Sequence, residues 1–465
     1  MAGQDRSDTV EAVQSEMLHI GVWGEGGRRL INAVVHVESI TLDARGPEMQ
    51  AAGVEEPSFH DLTSGITDLQ GTVRFRVKMG RKAGPGRLVI TVPGLGLRDT
   101  ARYTILPGAP TGVQMLPQDT TVGLGGRVAL RTALADRHGN PRSDALTLAV
   151  ASGPATLDGS TVVAGSSIGL VTAVASVGAM RDTTLVRVAP PGSVAAVSNP
   201  AVGFGGSIYT FSLDGSNIRQ VLTSVMGPGY NLEMSAAWLS PTRLVYHDGS
   251  PDHTRQLYTL DLATGTSARF LPPADQLSME QFPRVSPDGS WVYFGGGTFW
   301  NYAVYRARAD GSGRELVSSD SLPVYSEWGA DASPDGTRIV YVKRGVNWGD
   351  ERLFLMELAT RAVTPLDLKG ISPRWSPDGT RIAYVDQSTF GQGRAALVNA
   401  DGTGARVLSN TLIFGDLSWS PDGKYLVGAG QYVNQLVVID VATGAEVALR
   451  YPAIQAGVWS PVWKP

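Results

Sequence analysis

Cysteine is absent from all 465 residues. Disulfides, thiol nucleophiles and thiolate metal sites are therefore excluded together. Histidine is scarce: there are six, and only His247 and His253 lie in the second half of the chain. No apolar run reaches the roughly 18 residues that a membrane-spanning helix needs. An excess of one charge is also missing. A net charge of −4 is small for this length, so no nucleic-acid groove and no basic membrane face is implied. The stretch from Met1 to Met17 is polar and acidic. It lacks the apolar core of a signal peptide and reads as a flexible N-terminus, residues 1–17.

What the chain has in quantity is glycine and proline, 56 and 28 residues, the punctuation of a turn-rich β protein. Val73–Val77 alternates cleanly, with Phe75 on one face and Arg74 and Arg76 on the other, and Leu88–Val92 is a second short strand closed by Pro93-Gly94. After Pro107-Gly108-Ala109-Pro110 the pattern restarts with Val128–Leu134, a turn at Asp136–Pro141 and a strand at Leu146–Val150. Short strands at this spacing predict two β-sandwich modules, residues 18–108 and 109–191. Thr67–Val73, Ala83-Gly84, Val92–Leu95 and the closing Pro107–Pro110 resemble the second half of an invasin-like bacterial immunoglobulin-like domain. Asp136-Arg137-His138-Gly139-Asn140-Pro141 resembles the Asp-x-x-Gly-Asn-Pro turn of its first half. The insert at 43–63 departs from that pattern, so the first module is read as incomplete. The resemblance implies spacers or stalks on a bacterial surface.

From residue 192 onward two motifs alternate. One is an apolar residue, Ser-Pro, usually Asp-Gly, then a strand. Its serines are Ser240, Ser286, Ser333, Ser376, Ser420 and Ser460, spaced 40–47 residues apart. The other is a strand, then Asp-Gly-Ser/Thr-Gly or Ala-Thr-Gly, then a strand, as in Val304–Val317 and Ala395–Leu408. Six copies of each, four strands per period, predict a six-bladed β-propeller over 192–465. The array opens on the second motif and closes on an isolated first one, Val458-Trp459-Ser460-Pro461. The last strand is therefore expected to pair with the strands of 194–224 and close the ring, and loss of the last eight or so residues to unfold it.

Trp375-Ser-Pro-Asp-Gly-Thr-Arg-Ile-Ala-Tyr-Val385 and its repeats resemble the TolB-type propeller. The Asp-Gly is missing after Ser240 and Ser460. The resemblance implies an extracytoplasmic propeller that binds a partner, periplasmic or at the cell surface. In this chain sandwich modules stand where that family has an α/β domain, so its role in the Tol–Pal system is not implied.

Function is expected away from the repeats. The Ser-Pro-Asp-Gly and Asp-Gly turns share one end of the ring and read as structural. A calcium site there lacks the Asp-x-Asp-x-Asp ligand spacing, although calcium or another divalent metal remains compatible with the acidic turns. The loops at the opposite end vary, and each holds an aromatic ring or histidine. Phe204, His247, His253, Trp300, Tyr302, Trp348, Phe390 and Tyr432 belong to one set of loops. Tyr230, Phe282, Tyr325, Trp328 and Phe414 belong to the other, with Glu233, Glu280, Glu327 and Asp416 interleaved. These rings predict a rim binding a protein, a peptide or an envelope glycan, without catalysis. The plainer alternative is that they pack loops against blades. Arg284 and Arg374 occupy one position of two inner strands beside the channel. They are suited to a carboxylate of a ligand or partner, or to pairing with an aspartate such as Asp331. A metal-dependent hydrolase or lyase on the loop His247–His253 is a second reading, and a purely structural subunit of a larger surface assembly a third. Gly165-Ser-Ser-Ile-Gly169 matches a nucleophile elbow but lies between strands with no helix to follow.

Overall fold

The protein is described by a computed structural model, which covers residues 5–40, 47–52, 59–199, 206–223, 235–249, 255–298, 301–318, 326–345, 349–389, 393–432, 435–454 and 457–465. It is all-β: the helical elements among these residues are three short turns, Glu25–Gly27, Pro93–Leu95 and Pro273–Asp275. Two compact units result. One comprises Met1–Gln118, Leu130–Ala149 and Val174–Thr184, the other Asp119–Ala129, Val150–Ala173 and Leu185–Pro465. The segment read as a separate module, 109–191, is thus shared between the two units. The paired strands Pro110–Leu116 and Arg131–Asp136 stay with the first. Asp136 shows why: its Oδ2 accepts the Gly108 amide at 2.8 Å, and Asn140 beside it donates to the Arg81 carbonyl at 2.8 Å.

The first unit contains a five-stranded sheet and a three-stranded sheet. Leu18, Ile20, Met49, Phe75 and Val77 from the smaller sheet share one buried cluster with Val35, Val37, Leu88, Ile90 and Tyr103 from the larger. The alternation around Phe75 is what places its apolar face there. The N-terminal stretch differs from the flexible tail expected for it. Arg6–Thr9 pairs in parallel with Leu97–Leu106, from Arg6↔Tyr103 to Thr9↔Leu106. Val10 is buried, and Gln14 donates its amide to the Val77 carbonyl at 2.8 Å. An acidic, polar sequence hid one anchoring apolar residue and a set of backbone bonds that composition does not register.

In the second unit, four-stranded antiparallel sheets follow one another along the chain. The first combines Gly457–Trp463, Ser193–Asn199, Ser207–Ser212 and Arg219–Thr223. The next holds Ala236–Ser240, Arg243–Gly249, Arg255–Asp261 and Ser267–Arg269. Met279–Val285, Trp291–Thr298, Asn301–Arg308 and Glu315–Ser318 form another. Ser326–Ala332, Arg338–Arg344 and Glu351–Glu357 pair on to the start of Val363–Trp375, whose end opens a further sheet with Arg381–Asp386, Arg394–Asn399 and the start of Arg406–Trp419. The end of Arg406–Trp419 then pairs with Tyr425–Gly430, followed by Gln435–Asp440 and Glu446–Arg450.

Each sheet packs face to face on the next through its own apolar cluster. Ala195, Val197 and Ile208 meet Trp238, Leu244 and Tyr246. Val245 and Leu257 meet Val292 and Phe294, Tyr293 and Val304 meet Ile339 and Tyr341, and Val340 and Leu353 meet Ile382 and Tyr384. Val385 and Leu397 meet Leu426 and Val437. The circuit closes where Val438 and Leu449 meet Val194, Phe211 and Trp463. Sheets arranged in such a circuit are a β-propeller. Ser193–Asn199 pairs with Gly457–Trp463 in register Val194↔Trp463 to Asn199↔Gly457, so the first sheet is built from both ends of this unit.

Candidate functional site at the ring axis and the variable end

The inner strands share a local defect. Each of four carries a residue with positive φ where its register with the next strand slips: Phe282 (55°), Gly329 (63°), Ser372 (53°) and Gly415 (84°). A bulge of this kind bends the strand and re-aims side chains. It also explains Pro283 and Pro373, since proline is tolerated in a sheet where the ladder is broken. Arg284, Asp331 and Arg374 follow their bulges directly, and Asp416 lies within its own.

These four side chains converge. Arg284 Nη2 donates to both carboxylate oxygens of Asp416 at 2.7 Å. Arg374 Nη2 donates to Asp416 Oδ1 at 3.0 Å. Arg284 and Asp416 belong to sheets that are not neighbours: those of Ser326–Glu357 and Gly370–Asn399 lie between them in the circuit. The ion pair therefore spans the ring interior. Each arginine spends Nη1 on the carbonyl of its own preceding proline, Pro283 at 2.6 Å and Pro373 at 3.1 Å. Asp331 Oδ2 accepts the Trp375 amide at 2.7 Å.

Burial and charge oppose one another here. Burial pushes Asp416 up, but Arg284 and then Arg374 hold its carboxyl down to about 2. Burial, with Arg284 next, lowers Arg374 to about 10. Asp331 goes the other way: burial raises it, and the nearby Arg374 and Arg284 only partly compensate. The sequence placed the arginines on the axis and named Asp331 as a pairing partner. The direct partner is Asp416, which had been read as a rim acid. Its signal was the Gly415-Asp416 pair, at the bulge but shifted relative to the other three strands.

At the repeated-turn end the aspartates are saturated locally. Asp288, Asp335 and Asp378 each accept the hydroxyl of the serine two residues before them, at 2.5–2.6 Å. They also accept the amide two residues after them, at 3.0–3.1 Å. The serine hydroxyl lowers all three carboxyls, Asp335 to about 2. Ser376 Oγ in turn accepts the Arg381 amide at 3.0 Å. Gly379 closes this turn with φ 71°, a conformation that favours glycine.

The variable end is only partly described. Phe204, Tyr230, His253, Trp300, Tyr325, Trp348, Phe390 and the acid Glu233 lie outside the described residues. His247 is corrected: as a fully buried side chain it offers no surface to a ligand. Its Nδ1 lies 3.0 Å from Ser235 Oγ, and its ring meets Phe282 at 5.7 Å between centroids. The strand placed it inside the sheet, which the polar sequence after it concealed. Glu280 and Glu327 are buried too. Glu280 accepts the Leu257 and Leu277 amides at 2.8 and 2.9 Å, and Glu327 accepts the Ser318 hydroxyl at 2.6 Å. They tie strands and do not face solvent. Phe282, Tyr302 and Trp328 are half-buried. The Arg344 guanidinium lies 5.4 Å from the Trp328 ring centre, and burial raises the Tyr302 hydroxyl, which bonds Gln281. Among the described rim residues two rings are open: Phe414 at 38% and Tyr432 at 61% exposure. Among the described residues no group of three or more His, Asp or Glu converges to hold a metal.

No family model matches the chain. An uncharacterized protein of Agrobacterium fabrum, Atu1656, is 29% identical over 202 residues, 41% of this chain and 64% of that protein, so the chain spans less than two thirds of this relative's length. Among solved structures, TolB from Acinetobacter baumannii is 22% identical, with 59% of this chain and 67% of that one covered, at a TM-score of 0.47. An oligogalacturonate lyase in complex with manganese is 17% identical, with 55% and 72% covered, at a TM-score of 0.34.

Proposed function

We propose that residues 192–465 form a six-bladed, TolB-like propeller that acts without catalysis, binding a protein or peptide partner of the cell envelope at its variable end. Immunoglobulin-like modules before it serve as a stalk, and the protein works outside the cytoplasm. The observation that carries the binding reading is the contrast between the ends of the ring. Turn carboxylates at one end are consumed by their own serines and amides, whereas Phe414 and Tyr432 present open aromatic surface at the other. Aromatic rings on a rigid scaffold give large contact area at low entropic cost. Two acids read with that end, Glu280 and Glu327, are buried and committed to hydrogen bonds within the ring, which favours binding over chemistry there.

The test is affinity capture from an envelope extract, comparing the whole chain with its Phe414→Ala/Tyr432→Ala variant. Loss of one defined partner, with the melting temperature unchanged, supports the reading. Equal capture by both proteins overturns it.

A further inference from the structure

We propose that the four charged residues at the ring axis form a proton-coupled binding site for a free carboxylate, borne by a peptide ligand. This deepens the binding reading above and rests on it. Guanidinium recognises carboxylate best through two parallel N–H donors. Neither arginine is used that way. Asp416 sits on one nitrogen of each, Nη2, while each Nη1 is turned to a proline carbonyl. Arg284 Nε is buried and has no partner among the described residues. Two arginine forks are thus brought together, over-supplied with donors for the one carboxylate that bridges them.

The cluster also has a member able to give way. Asp331, like Arg374, is only partly covered, whereas Arg284 and Asp416 are buried. Among the described residues, the charged groups acting on Asp331 come from other strands: Arg374, Arg284 and Asp416, with the Trp375 amide bound to its Oδ2. Burial already disfavours its charge. When Asp331 takes a proton from solvent, two arginines face one carboxylate, Asp416, and a second carboxylate completes the balance. Binding therefore takes up a proton, strengthens as Asp331 is protonated and weakens as pH rises through its pKa.

The experiment is calorimetric titration of the whole protein with three probes at pH 6 and pH 8, in buffers of different ionisation enthalpy. The probes are tetra-alanine as the free acid, its C-terminal amide, and that amide with glutamate replacing one alanine. The plain amide should not bind. Binding of the acid alone assigns a chain end, and binding of the glutamyl amide assigns a side chain; both support the site. Asp331→Asn, which keeps an acceptor for the Trp375 amide, should bind the carboxylate more tightly than wild type at pH 8 and should show no proton uptake. Arg374→Gln should abolish binding. Equal affinity of wild type and Asp331→Asn at pH 8, or no preference of either for a carboxylate over the plain amide at pH 6, overturns the proposal. The probes do not need the rim, so loss of partner capture in the Phe414/Tyr432 variant with peptide binding intact bears on the rim alone.

Discussion

Aspartate is used in two ways within the same ring. At the turns, Asp288, Asp335 and Asp378 are held by neutral donors from their own few residues. At the axis, Asp416 is held by arginines more than 40 residues away in sequence, Arg374 at a separation of 42 and Arg284 of 132. Both arrangements depress the carboxyl to about 2 in their strongest cases, Asp335 and Asp416. The physical content differs. A turn aspartate satisfies a local hairpin and can be repeated blade after blade. The axial aspartate balances buried charge across the ring, and its value depends on which residues the other sheets send inward.

The largest effect that sharpens this contrast is expected from Asp416→Ala. It leaves Arg284 and Arg374 close together with their bridging carboxylate gone, and breaking a buried pair this way costs about 3–5 kcal/mol. Denaturant unfolding of the whole chain measures it; a loss no larger than a turn variant's would break the distinction. Next comes Ser376→Ala, which removes both the donor to Asp378 and the acceptor of the Arg381 amide. A loss of about 1 kcal/mol follows from an unsatisfied, part-buried amide.

Acid titration gives a third comparison. Asp416 is lowered from an ordinary 3.8 to about 2. Its contribution is therefore complete above the unfolded value and is lost as pH falls through the folded one. Asp416→Asn should remove that part of the acid slope while leaving the part due to the turns. The smallest effect is expected at the open rim. Tyr432→Ala should change unfolding free energy by no more than about 0.5 kcal/mol, as exposed positions generally do, and should be read out through partner capture alone.

The turns were the most legible part of the chain. Ser-Pro-Asp-Gly encodes its own geometry in four residues, and every bond it makes is local. Alternating apolar residues such as those around Phe75 and Tyr384 marked strands for the same reason. The site was legible in its donors and not in its closure. Arg284 and Arg374 stand out by repeated position, but no local rule connects either to Asp416, because the bond crosses the ring. His247 and Glu280 show the reverse failure. Polar identity suggested a rim, yet both are covered, and their hydrogen bonds hold neighbouring strands.

The pairing of Ser193–Asn199 with Gly457–Trp463 has a mechanical consequence. Val194 lies opposite Trp463, and Asn199 opposite Gly457, so Ser193 and the C-terminal end of the closing strand share one end of an antiparallel ladder. Tension between those two points peels the ladder bond by bond, the weak direction for such a joint.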